Sequence, residues 1–156
     1  MTDDENLDTT DGIGDWPGDA IARGMVQYTP YARALGMRYV SSSPNRGEIL
    51  LPWRADLVGL DGTDILAPGP ITALIDHVCG LAIMAGLGMN SAPATLDLRI
   101  DHMRPAAPRA AVSARAHVYK ATRTIAFLRA EAWDVSPDDL VAAAQAAFSL
   151  NRREAK

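Results

Sequence analysis

Ala67-Pro-Gly-Pro-Ile-Thr-Ala-Leu-Ile-Asp76-His-Val-Cys-Gly-Leu-Ala-Ile-Met-Ala-Gly-Leu-Gly-Met89 is apolar around its whole circumference from residue 71 onward. A helix of this kind must be covered on every side, by lipid or by protein. Residues 71–89 are long enough to suggest a membrane span, but Asp76, His77, Gly80, Gly86 and Gly88 interrupt them and no Lys or Arg flanks them. A buried core helix is the better reading. Pro68 and Pro70 suit the first turn of that helix, where the backbone N–H has no internal partner to lose.

Working outward, the segments on both sides change period. Met37-Arg-Tyr-Val40 and Gly47-Glu-Ile-Leu-Leu-Pro52 read as strands joined by the turn Ser43-Pro-Asn-Arg46. After the helix, Thr95-Leu-Asp-Leu-Arg-Ile-Asp-His-Met103 alternates, with Leu96, Leu98, Ile100 and His102 on one face and Asp97, Arg99 and Asp101 on the other. Residues 112–119, 124–133 and 140–150 continue at the spacing of an antiparallel meander. The last is alanine-rich, and propensity alone favours helix there. The topology requires a final strand, and a strand is expected. Upstream, Ile21, Met25 and Tyr28 line one helical face, and Thr29-Pro30 opens a short helix that Gly36 stops. The fold class is therefore α+β, an antiparallel sheet wrapped around one long central helix.

The charge is uneven. Residues 1–20 carry seven acids and no base, which leaves 12 acids against 15 bases in the remainder. The segment 1–20 reads as a disordered acidic leader ahead of one domain over residues 21–152. A mildly basic body suits an anionic ligand but is too weakly charged for nucleic acid. The single cysteine, Cys79, sits in the apolar run and cannot form an internal disulfide. A reducing, cytoplasmic setting is expected. No pattern for a metal, a nucleoside triphosphate or another cofactor is present.

The stretch from Ala67 to Gly80, with its acid at Asp76, resembles the signature of hotdog-fold acyl-CoA thioesterases of the phenylacetate-degradation group. The run from Thr95 to Arg104-Pro105, then Lys120-Ala-Thr-Arg123 and Ala130-Glu-Ala-Trp-Asp134, is similar to that group's later strands. The resemblance covers roughly residues 30–150. It implies an acyl-CoA ligand, with coenzyme A as part of the substrate, and a homodimer or homotetramer. It also implies Asp76 as general base or nucleophile and Thr95 beside the hydrolytic water. The signature's carbonyl-polarising glycine falls at Pro68, and a one-residue register shift would give that donor role to Gly69. Arg104, Lys120 and Arg123 are the implied contacts of the CoA phosphates.

Bottom-up chemistry supports Asp76 as the reactive group, because a carboxylate on an apolar helix is costly unless paired or functional. His77 points about 100° away around the helix and is expected to pack or meet an interface. The sequence also departs from the resembled signature. Ala67 and Pro68 stand where that group has His-Gly, and proline has no N–H to polarise a carbonyl. A protein that binds an acyl-CoA or apolar ligand without turnover is the alternative reading. A hotdog hydratase is disfavoured, since the Asp-x-Asn-Pro-x-His run of that group is absent.

Overall fold

The computed structural model describes residues 18–88 and 93–150. Most of the expected leader lies outside the described residues, but Asp19 belongs to the fold. The chain forms α1 (Asp19–Tyr28), α2 (Pro30–Leu35), β1 (Arg38–Ser43), β2 (Arg46–Leu51) and α3 (Pro68–Leu87). Strands β3 (Pro93–His102), β4 (Val112–Ala121), β5 (Ile125–Trp133) and β6 (Leu140–Leu150) follow. The strands form one antiparallel sheet in the order β1-β2-β4-β5-β6-β3, so the crossing by α3 carries the chain from one side of the sheet to its far edge. This is the expected hotdog arrangement.

Side-chain size seats the helix. Ala114 and Ala116 on β4, Ala126, Ala130 and Ala132 on β5, and Ala142, Ala144 and Ala146 on β6 are all buried on the face toward α3. Small residues there leave room for Leu74, Ile75, Val78 and Leu81, which are wholly buried. At Gly47 a Cβ would lie 2.7 Å from a Leu81 methyl, so any larger residue on β2 would push α3 off the sheet. On the opposite side α1 closes over α3, with Met25 Cε 2.8 Å from where a Gly80 Cβ would stand. By length and composition α3 could cross a membrane, but ten of its residues are buried within this fold.

Two expectations need correction. The buried face of α1 is Ala22 and Val26, and Tyr28 is 75% exposed, because β1 meets the helix about a quarter turn from the stripe read in sequence. Asp19 sets that rotation by accepting from the hydroxyls of Tyr39 and Ser42 on β1. On β3 the alternation breaks at Leu96, a bulge residue: Thr95 pairs with Phe148, but Asp97 pairs with Ala147. Leu96 is 59% exposed, while Leu98 and Ile100 face the helix as read.

Candidate active site

The bulge decides the chemistry of β3. By simple alternation Thr95 shares a face with Asp97, Arg99 and Asp101. One extra residue at Leu96 turns it to the other face, opposite the buried Phe148. There its hydroxyl donates to Asp76 Oδ1 at 2.8 Å. Asp76 is half-buried, and no Lys or Arg forms an ion pair with it among the described residues. With Oδ1 held by Thr95, Oδ2 is left to accept from a water or to attack a carbonyl carbon.

The N-terminus of α3 is the second component. Ala67, its N-cap, donates its N–H to Leu57 O at 2.8 Å. Pro68 and Pro70 have no N–H, and Ile71 is the first residue able to close an i→i−4 bond, onto Ala67. Gly69 therefore carries the one first-turn N–H without an acceptor among the described residues. It is exposed, with nothing within 4 Å of where a side chain would begin. Backbone donation and the helix dipole both favour developing negative charge at this point.

Beside that terminus lies a cavity of about 620 Å³, walled by Leu60, Ile65, Pro68, Ile71, Met103 and Val141 among others. Sequence reasoning missed it, because its walls come from three segments far apart in the chain. A second cavity of similar volume lies away from α3, over Arg46, Glu48, Arg115 and Glu131 on β2, β4 and β5. Its charged side chains face one another, with Arg115 on Glu131 at 2.8 Å, and it touches neither Asp76 nor the helix terminus.

The expected phosphate contacts part company. Lys120 and Arg123 are exposed at the end of β4 and in the β4–β5 turn. That turn lies at the Thr95 end of the sheet, since Thr124 O accepts from Leu150, the register partner of Pro93. Arg104 is at the opposite end and is already engaged. Its two terminal nitrogens donate to both oxygens of Asp134 at 2.9 and 2.6 Å, and further donations reach the carbonyls of Pro105 and Asp139. The Arg104 guanidinium, together with N–H donation from Ala107 and Val135, holds the Asp134 carboxyl well below the usual range.

The neighbours of Asp76 on the helix are structural. Burial lowers the His77 pKa, against a hydrogen bond to the Met25 backbone on α1, and its Nε2 is buried without a partner among the described residues. Burial, then the nearby Asp76 charge, pushes the Cys79 thiol up to about 12, far from a reactive thiolate. Among the described residues no group of three or more His, Cys, Asp or Glu is placed to hold a metal ion.

Residues 65–141 match the sequence profile of the family described as Thioesterase superfamily. The described domain has the hotdog fold, and this segment of it is similar to that superfamily. A solved structure from Pseudomonas aeruginosa is 29% identical, with a TM-score of 0.75 over 82% of this chain and 95% of that one. A point mutant of the phenylacetic acid degradation protein PaaI from Thermus thermophilus is 27% identical, with a TM-score of 0.68 over 78% and 99% of the two chains. AziG from S. sahachiroi is 25% identical, with a TM-score of 0.71 over 80% and 98%. No curated protein matches the sequence.

Proposed function

We propose that this protein hydrolyses acyl-CoA thioesters, with Asp76 activating water or attacking the carbonyl and Gly69 N–H receiving the oxyanion. The observation that carries this reading is the Thr95–Asp76 hydrogen bond, because the fold inserts an extra residue at Leu96 to make it. An uncompensated, half-buried acid held by a single hydroxyl suits a general base better than a structural ion pair. Lys120 and Arg123 would take the CoA phosphates. The PaaI-like likeness supports a small or aromatic acyl group.

The site is composite in this proposal. Gly69 and Asp76 are seven residues apart on one helix, about 10 Å along its axis. A single thioester carbonyl needs its base and its donor within about 3 Å, so the two must come from different copies. The ten-residue strand β3 supports the same conclusion, for among the described residues it is the edge of the sheet and pairs with β6 alone. Sedimentation at micromolar concentration is expected to give a dimer or a dimer of dimers. A stable monomer that turns over substrate would contradict the composite site.

A single orphan N–H where two prolines remove their own favours a second reading, ligand binding without efficient turnover. Gly69→Pro separates the two. It extends the proline run within the first turn, where proline is tolerated, and deletes the remaining donor. Thiol release is expected to fall about 100- to 1000-fold with the melting temperature nearly unchanged. Turnover that is negligible in the wild type and rises in Pro68→Gly would instead favour the binding protein.

A further inference from the structure

We propose that the cavity beside the α3 N-terminus receives an uncharged, apolar acyl group, and that Met103 and Leu60 set how long that group is. The inference rests on the thioesterase reading for its chemistry but on the cavity for its specificity.

The walls are fixed before any ligand arrives. One wall is the loop closed by the Val58–Leu66 bridge and the Gly59 N–H to Ile65 O bond. Its tip is pinned at Asp64, whose carbonyl accepts from Trp53 Nε1 at 2.7 Å and from the Arg109 N–H at 2.8 Å. The Asp64 carboxylate also meets Arg109 Nε at 2.7 Å. The other wall is the connection after β3. Met103 N–H donates to Val141 O at 2.9 Å, and Arg104 and Ala107 are both bound to Asp134. A cavity held between two such clamps binds without first ordering its own loops, and its volume is in the range of small-molecule sites.

The lining fixes the ligand's chemistry. Leu60, Ile65, Pro68, Ile71, Met103 and Val141 offer apolar surface. The basic side chain in the wall, Arg104, is neutralised by Asp134 and Asp139. Thr63 donates its hydroxyl to Leu60 O, and His102 stands exposed at the mouth. A dicarboxylic acyl group would lose the hydration of its free carboxylate with no cation waiting for it. An alkyl or aryl group loses nothing on entry. Leu60 is 69% and Met103 58% exposed, two large apolar side chains left facing solvent in the cavity wall. An acyl chain long enough to pass between them covers both.

The test is a thiol-release series from acetyl- to dodecanoyl-CoA with succinyl-CoA included, beside calorimetric titration with octyl-CoA thioether, which cannot be hydrolysed. Each methylene buried should lower KM about fourfold until the cavity is filled, and succinyl-CoA should be a poor substrate. Met103→Trp should shorten the preferred chain, and Met103→Ala should lengthen it, each read as the change in the ratio of octanoyl- to acetyl-CoA kcat/KM. A flat chain-length profile, or equal losses for acetyl- and octanoyl-CoA in Met103→Trp, would overturn the assignment while leaving a thioesterase. Octyl-CoA binding that depends on Met103 without hydrolysis of any ester would uphold the cavity and overturn the catalytic reading. Neither binding nor hydrolysis would overturn both.

Discussion

Asparagine at position 76 is expected to cut thioester turnover about 100- to 10,000-fold, the range a positioned general base supplies. The substitution is nearly isosteric. Its carbonyl oxygen still accepts from the Thr95 hydroxyl, so the contact between β3 and α3 survives. A half-buried charge without an ion pair is removed at the same time, and the melting temperature should hold or rise slightly. Octyl-CoA thioether should bind as tightly as to the wild type, because the lost group acts on the carbonyl and not on the acyl chain. Thiol release, calorimetric melting and thioether titration on the same preparation check all three. Activity retained in Asp76→Asn would place the chemistry elsewhere.

The second large effect is on stability. Asp134 has a side chain 1% exposed and accepts from Arg104, Ala107 N–H and Val135 N–H. Asp134→Ala removes the bidentate partner of Arg104, leaving it Asp139, and leaves two backbone donors without their acceptor. A loss of about 3 kcal/mol is expected, the lower end of what breaking a buried pair costs. Urea unfolding measures it. The pH dependence follows from the depressed carboxylate pKa. Stability from this group is complete above the ordinary carboxylate range and is lost as pH falls through that range toward the lower folded value. The difference between wild type and Asp134→Ala should therefore shrink in acid. Arg104→Gln should lower stability in the same direction with CoA affinity unchanged. A loss of CoA affinity with no change in stability would return Arg104 to the phosphate role expected from its place in the sequence.

The central helix was legible because residues 71–89 leave no polar face to show to water. The alanine-rich β6 was legible only through topology. Its helical propensity is overridden because the strand is held between β5 and β3, with Ala142, Ala144 and Ala146 buried on one face and Gln145 exposed on the other. Asp76 stood out as an acid among apolar neighbours, and Gly69 as the glycine between two prolines. What stayed hidden depends on geometry across segments. The rotation of α1 depends on where Asp19 meets Tyr39 and Ser42. The engagement of Arg104 depends on a partner 30 residues away. Nothing in the local spacing around Leu60 or Met103 marks the cavity, since its walls meet only after the sheet has closed on the helix.

The bulge at Leu96 makes the site sensitive to counting as well as to chemistry. Exchanging Leu96 for another residue alters one exposed side chain. Ironing the bulge out with every residue kept turns Thr95 to the face of Asp97 and away from Asp76, whereas deleting Leu96 leaves Thr95 on the face of Leu98. A one-residue slip in the pairing of Thr95 with β6 disarms the acid's hydroxyl partner without touching either group. Among relatives of this chain, a threonine two residues ahead of the first inward leucine needs no bulge to reach the acid, and one three residues ahead reaches it only through a bulge.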